Sequence, residues 1–161
     1  MALRKPTPAK PDSEARLALL AAAETCLRAH GYAGLSTRRV ADLARMPLSQ
    51  IHYHFGSKEA LVLALLEYQN RKLLDRQAAT FAADAPLWKR WEKACDHLDE
   101  DLASGYVRVL QEMMAAGWSN AEVAAAVRKF LGGWYVLLGA VAKEAITKSG
   151  GLGPLKQDDI A

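Results

Sequence analysis

The chain has 161 residues, of which 51% are hydrophobic, 24% charged and 7% aromatic. That length allows one domain, or a small one fused to a second, and the apolar content excludes wholesale disorder. The net charge of +3 divides unevenly: residues 1–58 hold nine Lys/Arg against four Asp/Glu, and residues 59–161 hold 12 against 14.

Residues 1–11 carry three prolines, three basic side chains and almost nothing to bury, the pattern of a flexible basic arm. This start lacks an apolar h-region, so no signal peptide is expected. Asp12 or Ser13 caps a predicted helix with Leu17, Leu20, Ala21, Ala23 and Leu27 at helical spacing. It is expected to end at His30-Gly31-Tyr32, where Gly31 suits a left-handed position and Tyr32 folds back as its apolar partner. A short helix after Ser36-Thr37 places Val40, Ala41 and Ala44 on one face. Met46-Pro47 breaks it, and Pro47 suits the first turn of the next helix, Leu48 to Phe55.

Gly56-Ser57 ends that segment, and Ser57 caps a long helix from Lys58 to about Thr80. Asp84-Ala-Pro86 starts another, to about Ala103, closed by Ser104-Gly105. A further helix covers Tyr106 to Ala116. Ser119-Asn-Ala-Glu122 has the pattern of a capping box opening a helix to about Lys148, with Gly132-Gly133 as a point of interruption. No segment alternates with period two long enough for a strand. The predicted class is all-α.

Two helices of about eight residues joined by a sharp turn have helix-turn-helix geometry, and the second is short enough to enter a major groove. Val40, Ala44, Met46, Ile51 and Phe55 would hold the pair together, leaving Leu48, Ser49, Gln50, His52 and Tyr53 to point outward. Gln offers adenine a donor and an acceptor side by side, and Ser, His and Tyr can bond phosphate or a base edge. The basic N-terminal third agrees with a polyanionic partner, although an excess of five charges is also common on a solvated surface.

The stretch Gly34-Leu-Ser-Thr-Arg-Arg-Val-Ala41, followed by Ala44-Arg-Met-Pro-Leu-Ser-Gln-Ile-His-Tyr-His-Phe-Gly-Ser-Lys58-Glu-Ala-Leu61, resembles the N-terminal domain of the tetracycline-repressor (TetR) family. The resemblance runs from residue 13 to about 66; its most diagnostic part is Ile51-His-Tyr-His-Phe55 with Lys58 opening a long helix. It implies a flexible arm at 1–11, a DNA-binding domain at 12–57 and a helical ligand-binding and dimerisation domain at 58–161. It also implies phosphate contacts by Thr37, Arg38, His52 and Lys58, base contacts by Ser49 and Gln50, and His54 at the family's usual His or Tyr. Three positions depart from the family pattern: His52 replaces a tyrosine, Arg45 a turn glycine and Pro47 a Ser or Thr cap. Arg45 must accept an unusual backbone angle or the turn must differ. The lost cap weakens the third helix by about 0.5–2 kcal/mol, partly offset by Pro at its first turn.

Other constellations carry less. His52-x-His54 places its rings about 200° apart on a helix, which does not suit a metal. His97 with Glu100 and Asp101 lacks the second copy a di-metal bundle needs, and a solvated acidic face is the simpler reading. Cys26 and Cys95, 69 positions apart, match no metal spacing or disulfide framework. No Walker loop, GxSxG or HExxH is present, so no enzyme activity and no cofactor is expected. The apolar stretch from Leu131 to Ala142 stops at Lys143 and Glu144, too short for a bilayer span, so a soluble, cytoplasmic protein with reduced thiols is expected.

The aromatics of residues 86–135 admit two readings. For any single one a place in a helical core is the simpler assignment. Together, Trp88, Trp91, Met113, Met114, Trp118 and Trp134 are candidates to line an apolar cavity for a flat hydrophobic or cationic inducer. Gly132, Gly133 and Gly139 allow either close helix packing or a kink. Gly150 to Pro154 reads as a loop, and Leu155 to Ala161 as the first turn of a helix that the chain cuts short, where family members continue into two dimer-forming helices. The resulting expectation is a ligand-responsive repressor binding a palindromic operator, a homodimer if full-length, with no membrane partner. The alternative is a helical adaptor that keeps the fold without operator binding.

Overall fold

A computed structural model describes residues 13–118 and 120–149. The expected arm at 1–11 and the helix start at 155–161 lie outside the described residues. Every regular element among the described residues is an α-helix. The chain separates into two compact units whose boundary, Leu65 to Leu66, falls inside one helix.

In the first unit, α1 (Glu14–Gly34) is capped by Ser13, whose Oγ accepts from the Arg16 N–H at 3.2 Å. Leu19, Leu20, Ala23 and Leu27 are buried on its inner face. Regular helix is lost at Gly31 as expected, but Gly31 takes φ 66° with ψ −179° rather than a left-handed helical pair, and one more turn follows. Then come α2 (Thr37–Ala44) and α3 (Leu48–His54). Next, α4 (Lys58–Ala82) opens on Ser57, whose Oγ accepts from the Ala60 N–H at 3.0 Å. Val40, Ile51, Leu61 and Val62 are fully buried and close this small core.

The second unit contains the rest of α4 with α5 (Leu87–Ser104), α6 (Tyr106–Ala116) and α7 (Ala121–Ser149). Gly105 alone joins α5 to α6, at φ 82°. The Ser119 of the expected capping box lies outside the described residues. Asn120 provides the cap, its Oδ1 accepting from the N–H of Glu122 at 3.0 Å and of Val123 at 3.2 Å. Helix α7 continues through Gly132-Gly133 without interruption. A Cβ on Gly133 would lie 2.8 Å from Leu74 Cδ1, so this glycine admits close approach to α4; the same addition at Gly132 or Gly139 meets nothing.

By length and composition α7 is apolar enough to cross a membrane, with a window of mean hydropathy 1.2, because the long helix extends beyond the short uncharged stretch. Two of its charged side chains are tied to neighbouring helices. Lys129 meets Glu67 at 2.9 Å, and Glu144 receives the buried Arg90 guanidinium at 2.5 and 3.2 Å. Arg90 also donates to the Phe81 carbonyl, joining the end of α4 to α5 and α7.

Candidate nucleic-acid interface and apolar cavity

Local chemistry sets the α2–α3 pair. Ser36 Oγ accepts from the Arg39 N–H at 3.2 Å, and the Arg39 guanidinium donates to the Gly34 carbonyl at 3.1 Å. Arg45 makes the turn in the left-handed conformation, φ 55° and ψ 42°, so it accepts the unusual angle that a glycine would take freely. Pro47 is the N-cap of α3 rather than its first helical residue, and no side chain caps that end. Of the expected interface between the two helices, Val40 and Ile51 are fully buried, while Ala44, Met46 and Phe55 are half-buried. The Arg16 guanidinium lies 4.7 Å above the Phe55 ring.

Ser49, His52 and Tyr53 are exposed and, spaced three and four residues apart, share one face of α3. Leu48, Gln50 and His54 are half-buried at its edges. Arg38 is exposed near the start of α2, and Thr37 beside it is half-buried. His52 Nδ1 lies 3.3 Å from the Gly56 carbonyl oxygen. A carbonyl only accepts, so Nδ1 carries the proton and Nε2 is the nitrogen left for a partner.

Lys58 is placed differently from a free phosphate-seeking cation. Its Nζ donates to the Tyr32 carbonyl at 2.8 Å and sits 4.5 Å from the Tyr32 ring centroid. The Tyr32 hydroxyl in turn donates to Glu59 Oε1 at 3.5 Å. Burial, then the Glu59 charge, hold this phenol above its ordinary pKa. The chain after Gly31 is thus clamped to the start of α4.

The second unit forms a half-open cavity of about 320 Å³ between α4, α5, α6 and α7. Phe81, Trp91, Tyr106 and Trp134 give its aromatic wall, and Gln77, Cys95 and Asp101 its polar points. Of the tryptophan and methionine candidates, Trp91 and Trp134 line it. Trp88, Met114 and Trp118 are exposed elsewhere, Trp118 at 95%, and Met113 is fully buried in the core.

The polar members were missed by reading aromatics alone. Asn70 and Gln77 interrupt the stripe formed by Leu66, Leu73 and Phe81 on α4, an amide pair at apolar positions that was visible in the sequence. Asn70 Oδ1 accepts from Trp134 Nε1 at 2.9 Å and from the Tyr106 hydroxyl at 3.4 Å. Gln77 Nε2 donates to the Ala94 carbonyl at 3.0 Å, and its buried Oε1 has no partner. The face read as solvated and acidic is partly buried: Asp101 is 7% exposed, because Arg76 crosses from α4 to meet it at 2.6 Å. Burial, then Asp101, push the Tyr106 phenol up to about 12.

The comparisons with known proteins agree with this arrangement. Residues 19–65 match the family described as bacterial regulatory proteins, tetR family. No functionally curated protein matches the chain by sequence. Among solved structures, the fatty acid degradation regulator FadR of Bacillus halodurans superposes with a TM-score of 0.78 at 17% identity, over 92% of this chain and 77% of that one. FadR of Bacillus subtilis in complex with stearoyl-CoA gives 0.74 at 17% identity, over 88% and 76%. A Saccharomonospora viridis protein described as a transcriptional regulator, in complex with choline, gives 0.73 at 23% identity, over 92% and 78%. Residues 19–65 are therefore similar to the bacterial regulatory proteins of the tetR family, and the chain shares the fold of these solved structures.

Proposed function

We propose that the chain is a cytoplasmic, ligand-responsive repressor whose residues 12–57 bind one half-site of a palindromic operator. The observation that carries this reading is the exposed face of α3, where Ser49, His52 and Tyr53 stand together with Gln50 at the edge. Ser49 and Gln50 read base edges, Thr37, Arg38, His52, Tyr53 and His54 bond phosphate or neighbouring bases, and Leu48 packs against a thymine methyl. Lys58 contributes charge from its place against Tyr32. As a homodimer the protein sets two such helices about 34–36 Å apart, in successive major grooves. The cavity of the second unit receives the effector, and α4, which begins in the first unit and continues into the second, carries the state of one to the other. Ligand-bound proteins of similar fold support a cavity with this use.

Binding of the purified protein to random genomic fragments, sequenced after selection, tests the proposal. Enrichment of a palindrome is the expected result. Recovery without any motif would instead favour a helical adaptor.

A further inference from the structure

We infer that the effector is a lipophilic amine, recognised by its charge and by a donated N–H; this rests on the effector reading of the cavity. The wall of the 320 Å³ cavity is almost wholly apolar, so an occupant must be small and largely hydrophobic. Its few polar groups are one-sided. Among the described residues no Lys, Arg or His lines the cavity, and the single charged side chain that does is the Asp101 carboxylate. Arg76 divides its guanidinium between Asp101 at 2.6 Å and Glu100 at 3.3 Å, and the His97 ring lies 3.3 Å from Glu100, so one full cation and one imidazole face two carboxylates.

Gln77 adds the second element. Its amide is oriented by the Ala94 carbonyl, which can only accept and so fixes Nε2 against itself. The Oε1 left over is an acceptor on a side chain only 4% exposed, without a hydrogen bond. An unmet buried acceptor is costly, and a donor brought by the occupant removes that cost. Trp91 and Trp134, both in the lining, add aromatic groups that attract a cation. A carboxylate or an acyl phosphate ester finds none of this: it meets Asp101 and an acceptor amide with no cation to pair with.

Four probes of equal chain length separate the possibilities on the full chain, each below its micellar range: decylamine, decyltrimethylammonium, decanoate and decanoyl-CoA. Affinity by calorimetry is read beside protection of Cys95 from thiol labelling, since Cys95 lines the cavity and Cys26 is buried in the first unit. Decylamine is expected to bind at least tenfold more tightly than decanoate, with decyltrimethylammonium between them because it lacks an N–H. Gln77→Leu should weaken decylamine about tenfold and leave decyltrimethylammonium unchanged. If that variant does not fold, the ranking of the four probes on the unaltered chain decides. Decanoate or decanoyl-CoA binding as tightly as decylamine overturns the amine assignment while upholding the cavity as an effector site. Equal binding of the two cations overturns the role of Gln77. Absence of binding and of Cys95 protection with all four probes overturns the effector reading itself.

Discussion

The indole N–H of Trp134 on α7 donates to Oδ1 of Asn70 on α4 at 2.9 Å, and the Tyr106 hydroxyl of α6 reaches the same oxygen. One buried amide thus holds three of the four helices around the cavity. Asn70→Leu leaves both donors without an acceptor and is expected to destabilise the chain by about 1–3 kcal/mol. Urea denaturation followed by tryptophan emission measures it, and an unchanged midpoint would exclude the role.

Glu144 gives the second unit an acid-sensitive tie. Hydrogen bonds from Arg90, then Lys148, lower its pKa from 4.5 to about 2. The folded value lies below the unfolded one, so the contribution is complete above about pH 4.5 and disappears as the pH falls toward 2. Glu144→Gln should lower stability at neutral pH and flatten the fall in the urea midpoint across that window. A parallel fall in both proteins would locate the acid sensitivity elsewhere.

Arg45 carries a backbone angle that glycine adopts at lower cost. Arg45→Gly is expected to raise thermal stability, by about 1 kcal/mol once glycine's greater freedom in the unfolded chain is subtracted. The same change removes an exposed positive charge beside α3. If Arg45 neutralises a phosphate, the dependence of log affinity on log salt should become shallower by about one unit.

On the proposed operator face, Gln50→Ala should cost about 1–3 kcal/mol at one base-pair position and relax preference there alone. Equal losses across all operator variants would assign Gln50 to the backbone instead. Lys58→Ala should weaken every sequence alike and also loosen the end of α1, since Lys58 Nζ holds the Tyr32 carbonyl at 2.8 Å. Hydrogen exchange near Tyr32 reports the second effect independently of DNA.

The helices of the first unit were legible because their punctuation is local: Ser13, Ser36 and Ser57 cap, Gly31 takes a positive φ, and Pro47 ends one helix before the next. Arg45 was legible as a difficulty, since a turn that glycine usually makes admits few alternatives. The cavity was harder to read. Trp88 and Trp91 are only three residues apart, yet only Trp91 reaches the lining, a choice made by packing between helices far apart in sequence. The engagement of Lys58 with Tyr32 likewise depends on a contact across 26 positions, beyond any local pattern.

Gly105 is the whole connection between α5 and α6, serving as the C-cap of one and the N-cap of the other. The cavity wall formed by Tyr106, Val107 and Leu110 therefore has no slack loop at its near end. An occupant pressing on it must turn α6 as a rod about a single pivot, so that displacement grows along the helix toward Ala116. The farthest-moving part of the helix is then the end that leads into α7, where a small guest would produce its largest mechanical effect.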